Sequence, residues 1–307
     1  MSDTVVAQSE VAIAQGSKSF AAAAKIFDRR TRKDAVMLYA WCRHCDDVID
    51  GQTLGHEQQS DFFEGQKARL EKLRKQTHTA LSGTPIADPN FEALRRVVER
   101  NHIPPRHLDE LLAGFEMDVK SRVYVTMNDT LEYCYGVAGV VGVMMAMIMG
   151  VRDPKIIDRA SDLGLAFQLT NIARDVIDDA RMGRVYIPRD VLARHNVTYV
   201  DADNKAQWPK LHTAACELLD LAEGYYASAA IGISALPFRS AWAIAAARRV
   251  YRDIGQKLRS GGSSAWSNRI STSKSRKVLL LGLALFEVLI SRFKSQNRAR
   301  EGLWQRP

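Results

Sequence analysis

The chain has 307 residues, 46% hydrophobic and 25% charged, with 9 prolines and a net charge of +8. That length holds one large domain or two ordinary ones, and the composition excludes a disordered or fibrous chain. The positive balance suits polyanionic substrates, anionic membrane or nucleic acid without choosing among them.

Residues 1–14 are polar and are expected to be a flexible end. Ser17, Lys18, Ser19 and Phe20 follow, two hydroxyls and an amine ahead of a helical stretch. Such a start either binds an anion through hydroxyls and free N–H groups or is a plain N-cap. Apolar spacings of three and four predict helices over 31–51, 56–77, 89–100, 105–120, 129–150, 154–181, 206–229, 236–259 and 273–295. Between them fall breaks such as Gly51, Pro104-Pro105, Asp153-Pro154 and Pro237. Strand alternation is missing, and no linker is long enough to divide domains. The expectation is one all-α domain over 15–295, followed by a basic tail over 296–307.

The 31–51 helix ends in Asp46-Asp47-Val48-Ile49-Asp50, and Tyr39, Arg43, Asp46 and Asp50 share one stripe. Like charges one turn apart destabilise a helix unless something positive lies between them. The motif is either a solvated helix end with an Arg43–Asp47 pair or half of a cation site. Cys42 and Cys45 form a C-x-x-C, but no second pair completes a zinc site, so they read as small residues of a buried helix. With four cysteines in all and no secretory signal, a reducing, cytoplasmic setting is expected.

Residues 133–151 form an uncharged run of 19, long enough to span a bilayer. The run contains Gly136, Gly139, Gly142 and Gly150 and stands alone, which favours the buried centre of a helical protein. On the 154–181 helix, Gln168, Asn171, Asp175 and Asp179 make a polar stripe within an apolar sequence. Burying such a stripe is costly unless it is paired or binds metal, and oxygen-only ligands suit a hard cation. Arg181, Arg184 and Tyr186 follow as phosphate donors.

Residues 133–142 (Tyr-Cys-Tyr-Gly-Val-Ala-Gly-Val-Val-Gly) resemble one signature of the squalene/phytoene synthase family. Residues 164–188, with Gln168, Asn171, Arg174, Asp175, Asp179, Arg184, Tyr186 and Pro188 in order, resemble its second. The likeness runs over about residues 15–290 and is nearest to the bacterial, phytoene-forming branch. It implies an isoprenoid-synthase helical fold with a central cavity, across which two aspartate motifs hold Mg²⁺, or Mn²⁺ in its place, against prenyl diphosphates. It further implies that two geranylgeranyl diphosphates condense head to head through a cyclopropylcarbinyl diphosphate. On this reading Asp46, Asp50, Asn171, Asp175 and Asp179 are metal ligands, supported by Asp47 and Asp178. Ser17, Ser19, Arg43, Arg184 and Tyr186 grip phosphate, while Phe20, Gln168 and Asn171 line the substrate site. Tyr39, Tyr133 and Tyr251 offer π-faces to cationic carbon. Val137, Val141 and Met145 line an apolar tunnel that keeps water from carbocations, with small residues leaving room for chain.

No NADPH is expected, since no dinucleotide fingerprint is present. The rival within the family is a squalene or dehydrosqualene synthase acting on farnesyl diphosphate. From another class, the rival is a non-catalytic relative used for assembly or lipid binding. Arg269, Lys274, Arg276, Lys277, Arg292, Lys294, Arg298 and Arg300, opposed by Glu287 and Glu301, fit peripheral attraction to an anionic membrane's inner face. They do not fit nucleic acid, for which no motif is present.

Overall fold

In the computed structural model, which describes residues 3–52, 64–84, 86–268, 270–292 and 299–307 except the side chains of Lys18 and Ser19, several helices begin where short polar side chains cap free N–H groups. Asp3 starts α1 (Thr4–Gly16) and Ser17 starts α2 (Lys18–Ala24). Asp28 accepts from the Arg30 and Thr31 N–H groups at 3.0 and 3.1 Å and starts α3 (Arg29–Asp50). Gly51, at φ 60°, ends α3 in the left-handed conformation that glycine adopts without strain.

Next come α4 (Gln66–Leu81), α5 (Pro89–Asn101), α6 (Arg106–Val119) and α7 (Met127–Cys134). A π turn (Tyr135–Gly139) joins α7 to α8 (Val140–Ile148) without a break, and Asp153 then caps α9 (Pro154–Arg181). The remaining helices are α10 (Arg189–Arg194), α11 (Trp208–Ile233), α12 (Phe238–Gly261) and α13 (Lys274–Ser291). No strand occurs among the described residues, as expected of an all-α domain.

The structure corrects two expectations and narrows a third. The polar start is not a flexible end: α1 packs on α3 and α5 through Val6, Ser9 and Ile13, a short stripe at spacings of three and four. Nor does the end of the chain stand off as a tail. Arg300 pairs with the buried Asp162 at 2.6 Å, Arg306 with Asp158 at 2.6 Å, and the Trp304 ring lies 5.6 Å from that of Tyr135. The start predicted at residue 56 lies outside the described residues, and the helix is described from Gln66.

Central α9 packs against α8, α11 and α12. Its approach to the α7–α8 helix is backbone to backbone: a Cβ on Gly164 would lie 2.3 Å from the Ala138 carbonyl oxygen. Gly136 meets the Gly114 Cα of α6 in the same way, at 2.8 Å. Gly136, Gly139 and Gly142 of the apolar run therefore serve close helix packing, and the expectation that small residues leave room for a ligand chain fails for them, while Gly150, at φ 88°, serves the turn after α8. The stretch Met127–Ile148 is long and apolar enough to cross a membrane, with a mean hydropathy of 1.6 in its best window, of which 67% is buried inside the protein.

Candidate active site

Along α3, Tyr39, Cys42, Arg43, Asp46 and Asp50 are half-exposed while their neighbours Ala40, Trp41, Cys45 and Ile49 are buried. On α9 the half-exposed stripe is Phe167, Gln168, Asn171, Arg174, Asp175 and Asp179, again flanked by buried apolar residues. The two stripes meet at one end. Arg184, just beyond α9, donates to both Asp50 oxygens at 2.5 and 3.2 Å, joining motifs 134 residues apart. Arg43 holds Asp46 at 3.0 Å and Asp47 at 2.8 Å, and Arg174 grips Asp175 through Nε at 2.7 Å. Asp178 points outward, toward Arg181.

Both motifs stand at helix C-termini, where the helix dipole is already negative. Carboxylates there need cations beyond the arginines present. Asp46 keeps 38% of its side-chain surface open, yet its carboxyl is crowded by Arg43 and the neighbouring carboxylates and is largely desolvated. Burial pushes it up to about 7, with Arg43 opposing and Asp50 and Asp47 adding to the rise. Burial and then Asp175 hold Asp179 well above the usual carboxylate range. Asp118, on the last turn of α6, is pushed up to about 6 by burial. It lies within electrostatic reach of Asp46, Asp50 and Asp179, and sequence reasoning missed it because it is one carboxylate without a repeat.

These residues fit a divalent cation. The Asn171 side-chain nitrogen donates to Gln168 at 3.3 Å, but its buried Oδ1 has no partner among the described residues. A buried carbonyl oxygen left unpaired, one turn from Asp175 and two from Asp179, suits a hard ion. Among the described residues no three acidic, His or Cys side chains are close enough to hold a metal alone. Water and diphosphate oxygens would complete the shell.

The raised carboxylates set a pH dependence. Between about pH 4 and pH 7 the metal-free fold holds protons that the unfolded chain has released, so rising pH removes stability from it. A divalent cation displaces those protons. The gain in Tm on adding MgCl₂ should therefore be small at pH 5.5 and larger at pH 7.5. One linked proton makes the affinity change up to about 100-fold over that span. Thermal melts at both pH values check this, and a gain that is flat or falls with pH refutes it.

Aromatic rings line the adjoining wall. Phe20 of α2 meets Tyr39, Phe167 and Tyr251 at centroid distances of 6.4, 6.2 and 5.5 Å, and Phe167 stacks on Tyr251 at 4.2 Å. A Cβ on Gly16 would lie 2.4 Å from the Tyr39 hydroxyl, so the α1–α2 junction abuts Tyr39. Ser17 caps α2 by accepting from the Phe20 N–H at 3.3 Å, which leaves its hydroxyl proton to donate; the Ser19 side chain lies outside the described ones. Tyr133 and Tyr186 stack at 4.5 Å and both donate to Asp118, at 3.1 and 2.8 Å. The Tyr186 hydroxyl, expected to grip phosphate, is thus committed to a carboxylate. On the apolar helix Val137, Val141 and Met145 are half-exposed at a spacing of four, while the half-exposed Ala138 and Gly142 lie against the α9 backbone.

The family model for squalene/phytoene synthases matches residues 13–276. The 15-cis-phytoene synthase of a Paracoccus strain is 53% identical over 307 residues, covering 100% of this chain and 99% of that protein. The 15-cis-phytoene synthase of Pantoea ananas is 47% identical, covering 96% of each. Among solved structures, a dehydrosqualene synthase with bound ligand matches with a TM-score of 0.81 at 28% identity, over 94% of this chain and 97% of that one. A squalene synthase from Alicyclobacillus acidocaldarius, at 22% identity and TM-score 0.73, covers 84% of this chain and 94% of its own and shares the fold.

Proposed function

The chain belongs to the squalene/phytoene synthase family, and on that premise we propose that it is a 15-cis-phytoene synthase, a prenyltransferase of carotenoid biosynthesis joining two geranylgeranyl diphosphates. The observation that carries the choice is full-length likeness, at about half identity, to proteins of that name.

The family's chemistry depends on a divalent metal, for which Mg²⁺, or Mn²⁺ in its place, is the proposed ion. Bound by Asp46, Asp50, Asn171, Asp175 and Asp179, it would neutralise the departing diphosphate and assist ionisation as a Lewis acid. Arg43 and Arg184 already lie among those carboxylates and would turn to phosphate oxygens as substrate arrives. The Ser17 and Ser19 hydroxyls complete the phosphate donors of the proposal.

Loss of the first diphosphate leaves an allylic cation, which the second molecule's double bond attacks; proton loss closes the cyclopropane. A second ionisation, rearrangement and proton loss give phytoene, with no reductant consumed. Burial raises Tyr39 to about 12, so it stays a neutral phenol. Such a ring offers a π-face to the cation without becoming a phenolate that would trap it. Tyr251 sits beside it through Phe20, and Asp118 orients the Tyr133 hydroxyl. The lipid character of substrate tail and product, with the net charge of +8, supports a peripheral place on the cytoplasmic side of an anionic membrane.

Incubation with geranylgeranyl or farnesyl diphosphate, each with and without NADPH, tests the assignment. Phytoene from the first, indifferent to NADPH, is expected; preferential squalene-type product from the second overturns it. Val141→Trp should cut use of the longer diphosphate about 10- to 100-fold by filling the wall, and unchanged kinetics would remove Val141 from it.

A further inference from the structure

Helix α13 turns much of its apolar surface outward. Val278, Leu279, Leu283, Phe286, Leu289 and Ile290 are 37–70% exposed, while Leu280, Ala284 and Val288 are buried in the bundle. These are six of the twelve exposed large hydrophobic side chains among the described residues, gathered on one helix of 18 residues. At 100° per residue they fall within an arc of about 140°, which no charged residue shares. Exposed apolar surface this continuous marks a contact with something outside the chain.

The rim identifies what that is. Lys274 and Arg292, both exposed, stand just outside one edge of the arc at opposite ends of the helix. The acidic residue of α13, Glu287, faces inward to Arg248 and to Arg249, the latter at 2.7 Å. Two copies packed arc to arc with their helices antiparallel would set Lys274 of each against Arg292 of the other. An anionic lipid surface complements them. Arg292 also lies over the Phe238 ring at 5.5 Å and lines, with Met149, Val151 and Leu236, a cleft of about 480 Å³. The contact would thus bring the mouth of a cleft at the foot of the tunnel helix to the bilayer.

We propose that the outer face of α13 docks on an anionic lipid bilayer, its apolar arc at the acyl boundary and Lys274 and Arg292 at headgroup level. The inference rests on the membrane attraction proposed above and assigns its surface. Of the other basic residues of this region, Arg276 is bound to Asp253 at 2.9 Å and Arg300 to Asp162, and Arg269, Lys294 and Arg298 lie outside the described residues.

The test uses the full chain with vesicles of phosphatidylcholine alone or mixed with phosphatidylglycerol, sedimented across salt. Wild type should bind the mixed vesicles, more weakly as salt rises. The double variant Leu283→Glu/Phe286→Glu should lose at least tenfold in binding, with the same helical circular dichroism and the same turnover of detergent-dispersed substrate. Equal binding by variant and wild type overturns the surface and leaves the membrane reading standing. If wild type binds neither vesicle, both fall, while turnover still reports on the enzyme assignment. A wild-type dimer that the variant splits into monomers, seen by light scattering, overturns the proposal in favour of a second copy.

Discussion

Asp179→Asn is expected to lower turnover about 1,000-fold while leaving the metal-free protein at least as stable as wild type. The two effects have one cause. Asp179 lies at the negative end of α9 within reach of Asp175 and Asp118, and burial holds its carboxyl well above the usual range. Ionised without a metal, it is a cost to the fold; asparagine keeps the shape and removes the charge. What the variant loses is an anionic metal ligand. Lewis-acid assistance is worth several kcal/mol, and about 4 kcal/mol corresponds to roughly 10³ in rate. Steady-state phytoene formation and melts without divalent ions measure both. Turnover within threefold of wild type would remove Asp179 from the metal site. A metal-free Tm lowered by more than about 5 °C would mean instead that the charged carboxylate stabilises the fold.

Gly164→Ala should be the most damaging small substitution in the core. Its Cβ would lie 2.3 Å from the Ala138 oxygen, 2.6 Å from the Ala138 carbonyl carbon and 2.7 Å from the Gly139 Cα. All three are backbone atoms, so no side chain can swing aside and α9 must back away from the α7–α8 helix. Overpacking typically costs 1–3 kcal/mol, and contact with rigid backbone places this at about 3 kcal/mol or more. At roughly 2–4 °C per kcal/mol, Tm should fall by about 6–12 °C. Gly224→Ala on α11 is the control, because its Cβ would meet only Leu303 at an ordinary 3.5 Å. There helix propensity favours alanine by about 0.5–1 kcal/mol. Calorimetry on both variants decides, and equal shifts would show that the approach of α9 to the π turn is not the constraint.

The two acidic motifs were legible because repeated carboxylates inside apolar helical sequence stand out at spacings of three and four. The helix expected over 154–181 is found as Pro154–Arg181, since a capping Asp and a Pro mark its start. Asp118 was illegible for the opposite reason: its meaning comes from Tyr133 and Tyr186, 15 and 68 residues away. Arg300 reads as one more basic residue until Asp162, 138 residues earlier, is seen to need it. The glycines misled because a missing side chain signals open space and tight contact alike, and only the neighbouring backbone tells them apart.

The π turn at Tyr135–Gly139 has a consequence for the wall it interrupts. In an uninterrupted α-helix, residues four apart advance about 40° each step, so a row from Tyr133 through Val137 and Val141 to Met145 would wind about 120° around the axis. A π turn takes in one extra residue, and everything after it lags by about one residue's rotation, near 100°. The lag cancels most of the winding. Tyr133, beside Asp118, and Met145, three turns further along, come into a nearly straight file, so a rod-like isoprenoid could lie along the helix without crossing it. Removing a single residue from 135–139 would restore the winding and swing the lower half of that file about a quarter turn into the neighbouring helix.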